Sequence, residues 1–398
     1  MRVWELCHPY PEVLEGSLLE ESFVVNFGGV WERLELGQDV HVDQRYLDPV
    51  EFVERTFITS EMREILSSVS AKLRGGRAQS VYHLRVSMGG GKSHTLLLLY
   101  FLVKGRERVV PLLRERGVEA DIPPTSRVVV VDGSRIDVID GYRPLEVKTL
   151  WGMVLAQLGY ERASSFDSWD SVPAIPVFRE ALAPAPTLIL IDEITEYVEN
   201  CRGLSGRASK VQVFLQNLTA AVSESPNSAM VVASPAGVYE EALSMVSEIL
   251  GRYARQVALA TPEEYRMIRK RALFSDDFSS LPADALEVIE EMCAILRSQV
   301  PSRSEGCRES FTQHYPFHPA VEQLMTKLKS SKSFQEVRDE LRFLASLVFS
   351  VFKRKPDDAY LISPCYADLS DSYVRGGTVA KLRAVSYTHL TLPTTERV

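Results

Sequence analysis

The sequence predicts an α/β fold in which a parallel β-sheet is flanked by helices and is followed by an all-helical region. Three short, continuously apolar segments, residues 127–131, 187–191 and 229–233, are typical of strands that helices cover on both faces. A fourth apolar segment, residues 81–86, runs into a glycine-rich loop and then into a helical segment. After residue 281 such strands stop, and amphipathic patterns predict helices alone.

The composition is that of an ordinary soluble globular protein, with 398 residues, 45% hydrophobic and 25% charged, enough for two or three domains. A net charge of -8 gives no general electrostatic reason to bind nucleic acid, although a local basic face is compatible with it. The five cysteines are scattered without metal-ligand or disulfide spacing, which fits a reducing cytoplasm. No apolar run approaches the roughly 18 residues of a membrane span, and the first residues lack a signal-peptide core, so we expect a cytoplasmic protein.

The segment before the first strand is predicted to be an N-terminal extension, residues 1–75, that packs on the core. Its clearest part is residues 48–74, whose apolar positions recur at three- and four-residue steps as in amphipathic helices. Thr59 or Ser60 is placed to cap the second of these helices. We interpret the whole extension as structural.

Residues 81–103 have the layout of a phosphate-binding P-loop, with a strand, a glycine loop, Lys92, Ser93 and a helix. The loop contains three glycines: Gly89, Gly90 and Gly91. Glycines let backbone N–H groups approach a phosphate closely, and the helix N-terminus adds partial positive charge. We expect Lys92 to reach the β- and γ-phosphates of ATP and the Ser93 hydroxyl to bind Mg²⁺. Val86 stands where the consensus has its first glycine, so a simple glycine-rich turn with an exposed lysine is the alternative.

The strand at residues 187–191 delivers Asp192 and Glu193 at its C-terminal end, where open α/β sheets bind ligands. This is the Walker B pattern. We expect Asp192 to hold Mg²⁺ through its water shell and Glu193 to polarise the attacking water. The alternative is that the two acids only begin the next helix. An adjacent glutamate favours a hydrolase over a nucleotide kinase.

Candidates for sensing and completing the nucleotide site follow further along the chain. Ser234, after the strand at residues 229–233, is placed to sense the γ-phosphate, with Asn227 a weaker candidate and a simple strand-ending serine the alternative. The arginine-rich segment that follows offers Arg252 or Arg255 as an arginine finger donated to a neighbouring copy. Ordinary surface charge is the alternative for both arginines.

The region after the sheet, residues 277–384, is predicted to be a helical lid following an ATPase core at residues 76–276, the plan of AAA-type ATPases. Arg338 and Arg342 lie four residues apart on one helical face and are candidate nucleotide sensors. His318 stands in a proline-flanked aromatic turn and is interpreted as a packed structural histidine.

The C-terminal segment, residues 385–398, has no periodicity that matches the preceding helices. This segment contains the residues VSYTHLTLPT. Their back-translated nucleotide sequence looks like a transposase adapter used in sequencing libraries. We therefore expect these residues to be non-native and the natural protein to continue beyond Ala384, with a natural threonine-rich tail as the alternative.

Several stretches carry a resemblance to a known family. In order they are HPYPEVLEGSLLEESF, GGGKSH, LILIDEITEYV, EEYRMIRKRALF, YPFHP and SFQEVRDELRFLA, and they cover nearly all of residues 1–352. Together they make the chain resemble the large P-loop ATPases of the domain of unknown function 499 family, found in bacteria and archaea and often linked to phage-defence loci. The family's GGGK-[ST]-H loop also lacks the first glycine and adds His94 to the expected nucleotide-binding residues. Where the family usually reads F-Q-x-T-R, Glu336 and Val337 stand in the middle here, which counts against Arg338 as the sensor.

The resemblance implies ATP hydrolysis, with ATP and Mg²⁺ as cofactors, coupled to a defence or DNA-associated task. Two hypotheses follow. One is an AAA-type motor or remodeller that acts on DNA or on a DNA-bound protein. A homo-oligomer is compatible with this hypothesis. The other is a slow nucleotide-controlled switch or scaffold that assembles with partner effectors of the defence system. A nucleotide kinase, or a non-catalytic protein with a relic P-loop, is a distant third.

Overall fold

The computed structural model describes residues 1–18, 20–86, 90–257, 259–300, 305–329, 337–370 and 374–375. The chain divides into two compact units. One, here named the sheet unit, is Val25–Thr261; the other, the helical unit, combines Met1–Val24 with Pro262–Val398. The domain boundaries expected at residues 75 and 276 stay predictions. The expected non-native tail at residues 385–398 lies outside the described residues.

The sheet unit is built on a five-stranded parallel sheet among the described residues. Its strands are β1 (Val81–Val86), β2 (Arg127–Asp132), β3 (Thr187–Asp192), β4 (Ser228–Pro235) and β5 (Ala254–Val257). They are hydrogen-bonded in the order β2-β3-β4-β1-β5, and each neighbouring pair is parallel. This architecture confirms the predicted α/β fold class with a P-loop core.

Helices connect the strands of the sheet unit, and helices also build the helical unit among the described residues. In chain order they are α1 (Val3–Leu6), α2 (Pro11–Glu15), α3 (Phe27–Glu35), α4 (Pro49–Arg55), α5 (Ser60–Leu73), α6 (Lys92–Lys104), α7 (Arg106–Glu115), α8 (Leu150–Gln157), α9 (Ala163–Phe166), α10 (Ile175–Leu182), α11 (Ile194–Cys201), α12 (Arg207–Glu224), α13 (Glu240–Gly251), α14 (Pro262–Leu273), α15 (Ala283–Gln299), α16 (Cys307–His314), α17 (Pro319–Lys329) and α18 (Val337–Arg354). None of them, within the described part of the chain, is long and apolar enough to span a membrane.

The strands are apolar because helices cover the sheet. Every residue of β3 and β4 is buried, while α5, α6 and α12 pack against β4 and α8 packs against β2. Between the covering helices, Trp151 and Phe178 each pack their rings against Phe214. A parallel sheet covered in this way leaves its polar groups to the strand ends.

The parallel register aligns those strand ends. Asp132 of β2 lies opposite Asp192 of β3, and Arg85 of β1 lies opposite Ser234 of β4. Since all the strands run the same way, the carboxyl ends of β1 to β4 meet at one edge of the sheet. This edge carries the candidate site.

The helical unit has a hydrophobic core of its own. Helices α14 to α18 contribute most of it, and α1 and α2 join it from the other end of the sequence. Helix α2 packs against α18, and the Tyr10 amide donates to the Leu273 carbonyl at 3.0 Å. The helical region expected after the sheet is therefore present, and the first helices of the chain belong to it.

Replacing Ile189 with alanine tests the packing of the sheet. Ile189 is fully buried in β3, so Ile189→Ala is expected to lower the free energy of unfolding by about 2–5 kcal/mol. Val213→Ala is the control, because Val213 is 42% exposed and its truncation is expected to cost less than about 0.5 kcal/mol. Urea unfolding followed by tryptophan fluorescence measures both, since Trp31, Trp151 and Trp169 all lie in the sheet unit. Equal effects of the two substitutions on the free energy of unfolding would contradict the burial of Ile189 inside the covered sheet.

Candidate functional site

Two sequence motifs 99 residues apart meet at the carboxyl edge of the sheet. Ser93 is the second residue of α6, which follows the loop after β1, and Asp192 is the last residue of β3. The Ser93 hydroxyl donates a hydrogen bond to Oδ2 of Asp192 at 2.7 Å. The two groups expected at a magnesium ion are therefore in direct contact.

The glycine loop turns directly into α6. Gly91 has a φ of 85°, a left-handed conformation that favours glycine, and it stands just before the first residue of α6. Gly90 is buried, and Gly89 lies outside the described residues. Lys92 is only 6% exposed, and its Nζ donates to the Val86 carbonyl at 3.1 Å. The alternative of a loop with an exposed lysine does not match this geometry.

Asp192 is a buried carboxylate in a negative environment. It is 3% exposed and accepts from the Ser93 hydroxyl and, at 3.1 Å, from the Glu193 amide. Burial raises the pKa of Asp192 above its ordinary value, and the negative charges of Asp132 and Glu193 raise it further. A cation bound at this carboxylate would favour its ionised form.

A second buried aspartate stands beside it, and the sequence did not single it out. Asp132 ends β2 opposite Asp192 and is 7% exposed. Its Oδ1 accepts from the Ser134 amide at 3.0 Å and from the Ser134 hydroxyl at 2.7 Å, and its Oδ2 accepts from the Gly28 amide at 3.2 Å. Burial raises the pKa of Asp132, against the lowering effect of these donors. The signal available in the sequence was the repetition of an apolar strand ending in aspartate.

Glu193 has an uncommon backbone conformation. Its φ is 48°, in the left-handed region that costs a non-glycine residue about 1–2 kcal/mol. It immediately precedes α11, and its side chain does not cap that helix. Its role toward an attacking water stays a prediction. Gly133 packs against it from the end of β2: a Cβ at position 133 would lie 2.4 Å from the Glu193 carbonyl oxygen.

Ser234 lies near the end of β4, between β3, which ends in Asp192, and β1, which leads into the glycine loop and α6. It is fully buried, and its hydroxyl has no hydrogen-bond partner among the described residues. Such a group costs about 1–3 kcal/mol. Asn227 precedes β4 and therefore stands at the opposite edge of the sheet. The weaker candidacy of Asn227 as a γ-phosphate sensor was wrong, because β4 separates it from the site by about 20 Å.

His94 is held by the segment before β1. Its Nε2 lies 2.8 Å from the Thr56 hydroxyl, which itself donates to the Phe52 carbonyl at 2.7 Å. Thr56 therefore accepts, and Nε2 carries the proton. The Phe52 ring lies 4.5 Å from the imidazole, and burial lowers the pKa of His94 to about 4. His94 is thus neutral and attaches α6 to the end of α4; its contact with a nucleotide stays a prediction.

The two candidate finger arginines stand near the amino end of β5. Ala254 lies opposite Val81, so Arg252 is more than about 15 Å from the end of β1 along the strand direction. Arg255 is bound within its own unit by Glu61, at 3.2 Å, and by Glu64. Arg252 is exposed, and its side chain makes no hydrogen bond or ion pair with the described residues. Neither arginine reaches the glycine loop of its own chain.

The candidate sensors of the lid belong to the other unit. Arg338 and Arg342 lie on α18, in the helical unit. Their role toward a nucleotide stays a prediction.

The sequence matches two models of one family. The model of the DUF499 N-terminal domain matches residues 34–268, and that of the DUF499 second domain matches residues 261–388. The first match alone spans more than half of the chain. A comparison of the chain with curated proteins found no match.

Solved structures show distant likenesses. The Aeropyrum pernix ORC2 protein in its ADP form is 13% identical, with 78% of this chain and 71% of that chain covered and a TM-score of 0.33. Its ADPNP–ADP complexes are 14% identical, covering 87% and 74%, with a TM-score of 0.38. C. elegans PCH-2 is 12% identical, covering 91% and 74%, with a TM-score of 0.30. The assignment of the fold rests on the strand order and register described above.

Gly133→Ala tests whether the close approach at the end of β2 positions Glu193. The added methyl group meets the Glu193 carbonyl, so the carboxylate is displaced while the glycine loop is untouched. We expect the ATP hydrolysis that the sequence predicts to fall about a hundredfold, with the predicted ATP affinity changed less than threefold. Gly203→Ala is the control, since a Cβ there meets no atom within 4 Å. Equal hydrolysis by the two variants would argue against this role for Gly133.

Proposed function

Because the chain belongs to the DUF499 family, we propose that it is an AAA-type, Mg²⁺-dependent ATPase that acts on DNA or on a DNA-bound protein in a phage-defence system. The observation that carries the ATPase proposal is the hydrogen bond from Ser93 to Asp192. It joins the helix that follows the glycine loop to the carboxyl end of β3, as a shared Mg²⁺–ATP site requires.

The residues present fit Mg²⁺. A hydroxyl and a carboxylate, Ser93 and Asp192, are the oxygen donors that this ion prefers, and Asp132 adds negative charge beside them. Within the described part of the chain, no group of three or more His, Cys, Asp or Glu side chains is arranged to hold a metal alone. The phosphates of ATP and water would complete the coordination, which is the usual arrangement for Mg²⁺ at phosphates.

The residues around this pair fit the nucleotide and its hydrolysis. The Lys92 ammonium and the N-terminus of α6 supply positive charge for the β- and γ-phosphates. Glu193 follows Asp192 directly, and its carboxylate would polarise the attacking water. The buried hydroxyl of Ser234 would donate to the γ-phosphate, which would satisfy a group that otherwise lacks a partner among the described residues.

A finger arginine, in this proposal, comes from a second copy of the chain. Arg252 is the better candidate for this role. It is exposed and makes no ion pair with the described residues, whereas Arg255 is bound by Glu61 and Glu64. Its distance from the glycine loop of its own chain excludes action in cis. A homo-oligomer is therefore part of the proposed active form.

The proposed link to DNA and to phage defence is supported by the family resemblance, and the alternative remains a slow nucleotide-controlled switch. The two differ in what stimulates turnover. A motor on DNA hydrolyses ATP faster when duplex DNA is present. A switch turns over slowly with or without DNA and assembles with its partner according to the bound nucleotide.

Lys92→Ala and Glu193→Gln separate binding from hydrolysis. Lys92→Ala removes the ammonium and is expected to lower ATP affinity at least tenfold. Glu193→Gln keeps the size and loses the charge, so ATP still binds while hydrolysis falls about a hundredfold or more. Fluorescent-nucleotide titration and phosphate release, each with and without duplex DNA, measure the two effects. A fully active Glu193→Gln would refute the assignment of the base. Turnover indifferent to DNA would favour the switch.

Mixing two inactive variants tests the finger. Arg252→Ala keeps its own nucleotide site but donates no arginine, and we expect its hydrolysis to fall about a thousandfold with ATP binding intact. Lys92→Ala has the complementary defect. A mixture of the two would place an intact Arg252 beside an intact nucleotide site and regain part of the wild-type rate of phosphate release. Arg255→Ala is the matched control and is expected to hydrolyse ATP normally. No recovery in the mixture would contradict action in trans.

A further inference from the structure

A pocket in the helical unit is lined by an excess of hydrogen-bond donors. Arg266, Arg269 and Lys270 line it from α14, at positions that fall on one face of the helix. His314 and His318 line it as well. None of these residues belongs to the sheet unit or takes part in the proposed ATPase site.

The three cations of α14 are crowded and largely withdrawn from solvent. The side chains of Arg266 and Arg269 are 17% and 12% exposed, and Lys270 is 3% exposed. Lys270 Nζ donates to the Gln313 carbonyl at 2.8 Å. Burial lowers the pKa of Lys270 to about 8, and the charge of Arg266 contributes.

Two carboxylates face these three cations. Glu340 is fully buried, with Oε2 at 3.0 Å from Nε of Arg269. Glu322 has Oε2 at 3.5 Å from Nη1 of Arg266. Glu263 also approaches Arg266, but it is 72% exposed and does not line the pocket. Within the part of the chain that the structure describes, the α14 cations thus exceed their buried counter-ions by one.

His314 offsets the charge of Glu322. Its Nδ1 lies 2.7 Å from the Ser310 carbonyl, which only accepts, so Nδ1 carries a proton. Its Nε2 is hydrogen-bonded to the Glu322 carboxylate, which also requires a proton between the two atoms. The His314–Glu322 pair is therefore neutral overall, and this pairing lowers the pKa of Glu322. Among the described residues, the three α14 cations, Glu340 and this neutral pair leave an excess of two positive charges.

His318 adds a neutral donor. Its Nδ1 accepts from the Ala320 amide at 3.0 Å, so the proton of the neutral ring is on Nε2. Burial lowers the pKa of His318, and the positive His314 beside it acts in the same direction. Apart from Glu322, the polar side chains that line the pocket offer donors.

We propose that this pocket binds a phosphoryl group, either as free phosphate or phosphate monoester or as a phosphate of a nucleic acid. A dianion matches the excess of two charges. The guanidinium fork and a lysine are the groups that proteins use most for phosphate oxygens. The ligand would displace Glu322 from Arg266, an ion pair that is longer, at 3.5 Å, than the 3.0 Å pair between Arg269 and Glu340. It would also connect α14 to α16 and α17.

Calorimetric titration of the Lys92→Ala chain with inorganic phosphate tests this, because that substitution weakens phosphate binding at the glycine loop. Ionic strength is held constant with chloride. We expect Arg266→Gln, added to this chain, to weaken phosphate binding about tenfold, and Glu322→Gln to strengthen it about tenfold by removing the competing carboxylate. Strengthening by Glu322→Gln separates a ligand site from a merely structural ion-pair network, which would only lose stability.

Two matched controls lie outside the pocket. Arg271→Gln, on the same helix, repeats the charge change of Arg266→Gln. Glu290→Gln, on α15, repeats that of Glu322→Gln and touches no pocket cation, because Glu290 pairs with Arg308. Both are expected to leave the affinity unchanged. Competition of duplex DNA with phosphate would identify nucleic acid as the source, and binding that DNA leaves unaffected would identify a free phosphate. No binding at millimolar phosphate, or binding that Arg266→Gln and Glu322→Gln do not change, overturns the proposal.

Discussion

The parallel register of the sheet is the constraint on which the candidate site depends. Because β4 lies between β1 and β3, Ser234 stands between the strand that leads to α6 and Ser93 and the strand that ends in Asp192. A shift of one residue in any of these strands would turn the side chains to the other face of the sheet. The buried apolar residues of β3 and β4 oppose such a shift, so the packing of the core fixes the positions of the polar groups.

The same register creates an electrostatic cost. It places Asp132 directly opposite Asp192, with both carboxylates buried, and burial and their mutual repulsion raise the pKa of Asp192. Hydrogen bonds from Ser134 and Gly28 to Asp132, and from Ser93 to Asp192, offset part of this cost. A bound cation would offset more of it. The arrangement is thus a poor choice for stability alone and a suitable one for a magnesium–nucleotide site.

What the sequence predicted were the features that local spacing determines. The glycine loop with Lys92 and the strand that ends in Asp192 are each complete within a short segment, and the four apolar strands fixed the fold class. The contribution of Asp132 was not predictable in this way, because its neighbour is set by strand order. For the same reason Asn227 was placed at the wrong edge. The ion pairs of Arg255 join residues more than 190 positions apart, which no local pattern indicates.

The segment before β1 shows a further limit of reasoning from local pattern. Its periodicity predicts helices that pack on the core, and α5 does so. Yet the Gly28 amide donates to Asp132, and a Cβ on Gly28 would lie 2.4 Å from Oδ2 of that carboxylate. Thr56 likewise holds the neutral ring of His94 at the start of α6. The segment therefore reaches both sides of the candidate site, and a displacement of it would move Asp132 and α6 together. An extension interpreted as structural thus supplies positioning contacts to the candidate site.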